Sequence, residues 1–109
     1  MSVESRVSIC YGVIISNEEL IEIKKHLTAE ECDELIEWDY LVQIDSWSGG
    51  DWFLGIENYL GDLSKPFLLT DLSNIPASWI EEFEMELKET PWFNLIKWEP
   101  KKYLIQFIY

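Results

Sequence analysis

Three carboxylates are evenly spaced around a glycine pair, and this is the first pattern in the sequence that could do chemistry. Asp45, Asp51 and Glu57 are six residues apart, with Gly49 and Gly50 between the first two. Asp45 and Glu57 on one sheet face would supply the side-chain types of a glycosidase, but that chemistry also needs a sugar cleft and a defined separation. An EF-hand needs oxygen ligands at alternate positions, which this spacing lacks. The pattern therefore indicates a turn between acidic strands.

Nucleophiles and bases are few. His26 is the only histidine, beside two lysines at a predicted helix end, where the helix dipole favours cations. Cys10 and Cys32 form no CxxC motif and have no companion histidines, so neither a zinc site nor a disulfide framework is predicted. We expect both thiols on apolar faces, where they are inert. The sequence thus predicts a protein that is not an enzyme, with no catalytic, cofactor-binding or metal-binding residue.

The densest group of ionisable residues is the stretch 29–39, AEECDELIEWD in one-letter code. It contains no base, and its six carboxylates are Glu30, Glu31, Asp33, Glu34, Glu37 and Asp39. The five from Glu30 to Glu37 would rise over about 10 Å of helix at ~1.5 Å per residue. That linear charge density approaches the one phosphate per roughly 1.7 Å of axis in duplex DNA.

The bulk composition describes a folding, acidic chain. Its 109 residues suit one domain, and 48% of them are hydrophobic, so the net charge of −13 does not signal disorder. Such acidity is repelled by nucleic acid and by anionic lipid, and no apolar stretch approaches the ~20 residues of a membrane span. Two cysteines without a framework suit a reducing compartment, so we expect a cytoplasmic protein that binds neither nucleic acid nor membrane directly.

The elements that would position these residues begin with a strand and a helix. Apolar residues recur with period two from Val7 to Ile15, which predicts the first strand over Arg6–Ile15. Ser16 and Glu19 fit a capping box, so the first helix is expected over Asn17–Leu27.

A second capping box, Thr28 with Glu31, follows at once and predicts a sharp corner before a second helix over Ala29–Trp38. The apolar stripe of this helix is Cys32, Leu35 and Ile36. The carboxylates cover the remaining surface and should face water.

A hairpin is predicted next, with strands at Tyr40–Trp47 and Trp52–Tyr59 around the sequence SGGD. Its register has two solutions. An even loop places Trp47 opposite Trp52, whereas an odd loop places Gln43 opposite Glu57. We favour the odd loop, whose buried face would carry Val42, Ile44, Trp52, Leu54 and Ile56.

The C-terminal part is predicted to contain a third helix over Trp79–Glu89, capped by Ser78 and Glu81, and a last strand at Tyr103–Tyr109. A short extended piece is expected at Pro66–Thr70, and the apolar stretch Trp92–Trp98 is a candidate extra strand. The order β-α-α-β-β-α-β predicts a single α+β domain over residues 1–109, with an antiparallel sheet of four to five strands and helices on one face.

The chain carries, in order, YG on the first strand, capped helices, a WSGGDWFLGI hairpin and an aromatic last strand. This order of features resembles that of small uncharacterised acidic proteins of bacterial phages and prophages. The resemblance carries no functional residue, and implies only an origin in a mobile element.

The charge distribution gives the leading functional hypothesis. No Lys or Arg occurs between Lys25 and Lys65, whereas ten acids do. Such a surface would be steered towards cationic clefts, so we expect a nucleic-acid-mimicking inhibitor of a basic, DNA-binding host enzyme such as a restriction or CRISPR nuclease. The predicted partner-binding residues are Glu30, Glu31, Asp33, Glu34, Glu37, Asp45, Asp51, Glu57, Trp47 and Trp52. The alternative is a small soluble prophage protein of structural or regulatory role, acidic for solubility alone, and self-association is left open.

Overall fold

The computed structural model describes residues 4–61 and 75–109. Its elements are β1 (Ser5–Ile15), α1 (Asn17–Lys25), α2 (Ala29–Glu37), β2 (Leu41–Gln43), β3 (Trp52–Gly61), α3 (Ala77–Lys88), a 3-10 turn (Phe93–Leu95) and β4 (Lys101–Ile108). The predicted order and the α+β class are confirmed, with one compact domain. The extended piece expected at Pro66–Thr70 lies outside the described residues.

All strand pairs are antiparallel, and the sheet order is β2-β3-β1-β4. Alternate residues of the strands point to opposite faces, so the sheet has two distinct cores. The main core joins the sheet to α1, α2 and α3 and includes Ile9, Leu54, Leu35 and Phe83. A smaller core on the other face contains Cys10, Phe53, Ile105 and Phe107, and no residue of the three helices belongs to it.

The first two helices begin as their sequences predict. Ser16 with Glu19, and Thr28 with Glu31, each form both hydrogen bonds of a capping box. The two helices end slightly earlier than expected, at Lys25 and Glu37, because His26 and Trp38 act as C-caps. The corner between α1 and α2 is therefore confirmed.

The start of α3 corrects the sequence prediction. The helix begins at Ala77, so Ser78 is already its second residue and the expected cap by Ser78 and Glu81 is not formed. Pro76 is the N-cap, and its carbonyl accepts from the backbone of Trp79 and Ile80. Proline has a φ already suited to a helix start, so the helix nucleates there. The stretch 92–98 contains the 3-10 turn and no strand.

The hairpin register favoured from the sequence is wrong. Leu41 pairs with Leu54 and Gln43 with Trp52, and the last backbone bond joins Ile44 to Asp51, which gives an even loop. Trp52, Leu54 and Ile56 do line the main core, but Val42 and Ile44 lie against the smaller one. The side chain of Glu57 binds Arg6 and does not pair with Gln43 as the odd loop would require.

Gly12 and Gly55 face each other at the centre of the β1–β3 pair. A Cβ on Gly12 would lie 2.0 Å from the carbonyl oxygen of Leu54, and one on Gly55 would lie 2.2 Å from that of Tyr11. Only glycine allows the two strands to approach this closely.

Beyond β2 the chain crosses to the far edge of the sheet. The backbone of Ile108 in β4 donates to Ile44 and accepts from Ser46, forming a parallel bridge. The chain therefore links both edges of the sheet, which curls around the smaller core. Phe53 and Phe107 are almost fully buried in this core, which contains no residue of α1, α2 or α3.

Candidate partner-binding surface

The carboxylates of α2 are displayed as the sequence predicts. Leu35 is buried, whereas Glu30, Asp33, Glu34 and Glu37 are exposed. Glu31 is only half-exposed, because its side chain accepts from the backbone N–H of Thr28 at 2.9 Å and completes the helix cap. Among the described residues, four of the five predicted side chains therefore have no hydrogen bond or ion pair that holds the fold. The fifth, Glu31, helps to start the helix.

Trp38, immediately after α2, attaches this helix to α3. Its ring stacks on Phe83 at 5.8 Å and meets the edges of Tyr40 and Trp92, each at 5.2 Å between centroids. Its indole N–H donates to a carboxylate oxygen of Glu86 at 3.4 Å. The aromatic cluster thus brings acids on α3 next to the end of α2.

The pKa of Tyr40 reflects the proximity of these acids. This pKa is raised, first by burial of the ring and then by the negative charges of Glu86, Asp39 and Glu82. Three carboxylates from two segments of the chain therefore act on one hydroxyl. Two of them, Asp39 and Glu82, border a depression of about 310 Å³ beside β3, together with Trp79 and Glu57.

The exposed carboxylates thus run along α2, pass Asp39 and continue on α3. We call this set the acidic face: Glu30, Asp33, Glu34, Glu37, Asp39, Glu82 and Glu86. The ion pairs within residues 4–61 and 75–109 are Arg6–Glu57, Lys25–Glu22 and Lys97–Glu99. None of these pairs neutralises a carboxylate of the acidic face.

The partner-binding residues predicted from the sequence do not include Asp39, Glu82 and Glu86. Their acidity was visible, but only the packing of Trp38 against Phe83 places them together. A tryptophan directly after an amphipathic helix was the one signal, since such a residue commonly anchors the helix end.

The loop acids Asp45 and Asp51 do not line this depression, and the side chain of Asp45 has structural partners. Asp45 accepts from the backbone of Trp47 at 3.0 Å and of Ser48 at 3.2 Å, which holds the loop. Hydrogen bonds from Ser48, and then from Trp47, lower the pKa of Asp45. Asp51 is exposed on the same loop. The structure therefore does not bring these two predicted residues to α2.

Glu57 is committed to the interior of the fold. Its carboxylate accepts from Arg6 Nε and a terminal guanidinium nitrogen, both at 3.0 Å, and from the hydroxyl of Ser8 at 3.0 Å. Hydrogen bonding to Glu57 is the largest cause of the raised pKa of Arg6. The guanidinium also lies over the ring of Phe107, 4.5 Å from its centroid. Glu57 therefore contributes little free charge to a partner.

The two predicted tryptophans differ. Trp47 is 52% exposed at the hairpin loop. Trp52 is half-buried against the main core, and its indole N–H donates to Asn17 at 3.0 Å at the start of α1. Trp47 is therefore available as an anchor, whereas Trp52 serves packing.

The cysteines and the histidine have surroundings that favour structural roles. Burial, and then the charge of Glu57, raise the pKa of the Cys10 thiol to about 12, so this thiol stays protonated at neutral pH. Cys32 is half-buried, and its thiol donates to the carbonyl of Lys24. His26 caps the C-terminus of α1. Within the two described ranges, no group of three or more His, Cys, Asp or Glu side chains is arranged to hold a metal ion.

A cleft of about 340 Å³ lies between α1, the end of β1 and the 3-10 turn. Its walls are mainly aliphatic, with Val13, Ile23 and Ile96 among them, and Glu19 and His26 on its border. It does not border the acidic face.

Comparison with known proteins gives no relative: no family model matches the chain, and neither a curated protein nor a solved structure is significantly similar. Within the described parts of the chain, none of the helices has the length and apolarity required to cross a membrane.

Proposed function

We propose that the protein is a non-enzymatic binding protein whose acidic face occupies the cationic nucleic-acid channel of a host enzyme, such as a restriction or CRISPR nuclease. In this proposal the protein is encoded by a phage or prophage and acts in the host cytoplasm. The observation that supports the proposal is the set of exposed carboxylates on α2, at Asp39 and on α3, none of which forms an ion pair within residues 4–61 and 75–109.

Long-range attraction and a fixed arrangement of the helices favour binding to a cationic cleft. Carboxylates without cationic partners among the described residues draw such a cleft towards them over long range. A fixed arrangement of α2 and α3 also avoids the entropy cost of ordering backbone segments at the moment of binding. The stacking of Trp38 between α2 and α3 supplies that rigidity.

Fewer residues of the hairpin are assigned to the interface than the sequence predicted. Asp45 and Glu57 hold the loop and Arg6 respectively, so they are not assigned to the interface. Trp47, 52% exposed, remains a candidate anchor at its border.

The alternative is a phage or prophage protein whose acidity serves solubility alone. It is favoured by the structural use of the hairpin acids, which divides the charge between separate parts of the surface. An acidic surface of this kind keeps molecules apart without needing a partner.

The experiment is a capture of partners from bacterial lysate at low and moderate salt, followed by competition with duplex DNA. A nuclease that is retained and then released by DNA supports mimicry. A partner that is indifferent to DNA, or no partner, supports the alternative.

Two variants of equal charge make the test specific. The face variant replaces Glu30, Asp33, Glu34 and Glu37 with their amides. The control replaces four exposed acids elsewhere: Glu4, Glu18, Asp51 and Glu99. Both lose four negative charges, so mimicry requires that only the face variant loses the nuclease.

A further inference from the structure

Among the described residues, strand β4 is an open edge of the sheet from Lys102 to Gln106. Tyr109 exchanges two backbone hydrogen bonds with Glu4, so the odd-numbered residues of this segment are bonded to β1. In an antiparallel ladder the residues between them point their N–H and C=O groups away. Lys102, Leu104 and Gln106 therefore turn both groups outwards, and no backbone partner for them occurs among residues 4–61 and 75–109.

The free stretch is bounded at both ends. Ile108 also points outwards, but its N–H and C=O are already bonded to Ile44 and Ser46. Two residues before Lys102 stands Pro100, which has no N–H to donate. The available backbone groups are thus symmetric about Leu104.

We propose that β4 pairs in antiparallel fashion with β4 of a second copy of this chain, about a two-fold axis through Leu104. In this register Leu104 lies opposite Leu104 of the second copy, and Lys102 lies opposite its Gln106. Every outward donor and acceptor of the three residues is then satisfied, with no like charges directly opposite. The same pairing mode adds peptide strands to open sheet edges in other proteins.

The side chains and the charge favour this edge over the rest of the surface. Leu104 is 59% exposed and would be covered by its counterpart. From Pro100 to Tyr109 the chain contains Lys101 and Lys102 and no acid, whereas each molecule carries a net charge of −13. The cationic edge of each copy would therefore lie in the negative field of the other, which reduces the repulsion between two copies paired along this edge.

The pairing would give one continuous eight-stranded sheet. The acidic face lies on α2 and α3. These helices pack on the main core, to which no residue of β4 belongs. A dimer would leave both acidic faces available, whether or not the proposed function is correct.

The test is sedimentation velocity over a range of concentrations in about 0.3 M NaCl, which screens the net charge to within a few ångströms. We expect a concentration-dependent dimer. Leu104→Lys places two like charges opposite each other at the axis and should weaken the dimer at least tenfold. Met85→Lys is the matched control, because Met85 is 68% exposed on α3 and should leave the dimer unchanged.

A disulfide trap tests the register. Directly opposite residues in such a ladder have Cα atoms about 5.5 Å apart, within reach of a disulfide. In a Cys32→Ser background, Leu104→Cys should form a covalent dimer under mild oxidation, and Met85→Cys should not. A monomer at all concentrations, or a dimer that tolerates Leu104→Lys and gives no crosslink, would overturn the proposal.

Discussion

The indole N–H of Trp38 donates to Glu86 across the boundary between α2 and α3, 3.4 Å from the carboxylate oxygen. The bond is long, so most of the attachment comes from the stacking of the ring on Phe83 and its edge contacts with Trp92. The side chain of Trp38 thereby links α2, which has the densest charge, to α3, which carries the rest of the acidic face.

Trp38 can be tested by two substitutions of different severity. Trp38→Phe keeps an aromatic ring but loses the weak hydrogen bond, and should lower the free energy of unfolding by roughly 1 kcal/mol. Trp38→Ala removes the ring, and should cost about 3 kcal/mol, the lower end for a tryptophan because the side chain is only half-buried. Urea unfolding gives both values. Equal costs for the two variants would contradict the dominance of stacking.

The elements that could be predicted from sequence are those specified by local chemistry. The boxes of Ser16 and Thr28 fixed both helix starts, and the alternation from Val7 to Ile15 fixed β1. The hairpin register could not be obtained in this way: the sequence argument paired Glu57 with Gln43, whereas its partner is Arg6, 51 residues away in the chain. The continuity of acids from Asp39 to Glu86 likewise depends on tertiary packing.

The close approach of β1 and β3 makes Gly55 intolerant of a side chain. Gly55→Ala would place a Cβ 2.7 Å from the ring of Phe53 and closer still to the backbone of Tyr11. Because backbone cannot give way as a flexible side chain does, we expect a loss of about 3 kcal/mol or more. Gly50→Ala is the control, since its Cβ would meet nothing within 4 Å. Thermal unfolding should separate the two variants, and similar melting temperatures would contradict the strand geometry.

The thiol of Cys10 should make stability fall at alkaline pH. Its folded-state pKa is raised from 9.0 to about 12, mainly by burial, so folding favours the neutral thiol. This contribution is complete below the pKa of the unfolded chain and is lost as pH rises from about 9 towards 12. Cys10→Ala should therefore show a shallower decline in stability over this range than the native protein. Parallel declines would count against the assignment.

Thiol labelling gives an independent measure of Cys10. In folded protein at about pH 8, a disulfide reagent should modify half-buried Cys32 first, and Cys10 only on unfolding. The Cys32→Ser variant isolates the slow reaction. Rapid labelling of that variant without denaturant would show that Cys10 is accessible.

The pair Arg6 and Glu57 should be a structural ion pair that does not contribute to binding. Glu57→Gln leaves the guanidinium mostly buried, with its side chain 25% exposed, and without an anion. We expect a loss of about 2–3 kcal/mol, below the usual range for a fully buried pair because water still reaches both groups. Glu99→Gln, which breaks the exposed pair with Lys97, should cost less than about 1 kcal/mol. Chemical denaturation of the two variants tests this difference, which would vanish if Glu57 were a surface charge.

Helix α2 separates the requirements of the fold from those of the proposed interface. Changing Glu30, Asp33, Glu34 and Glu37 to their amides leaves the cap by Glu31 in place and relieves repulsion between neighbouring turns. We therefore expect unchanged or slightly higher stability, by a few tenths of a kcal/mol per relieved pair, together with loss of any cationic partner.

Leu35→Ala should have the opposite profile, costing about 2–5 kcal/mol because Leu35 is 1% exposed. Ile36, which the sequence grouped with it, is 37% exposed, so Ile36→Ala should cost only about 1 kcal/mol for its smaller buried area. Circular dichroism and urea unfolding measure the fold, and titration calorimetry against a captured partner measures the interface. A folded amide variant with native affinity would remove α2 from the interface and leave its carboxylates as a solvated surface.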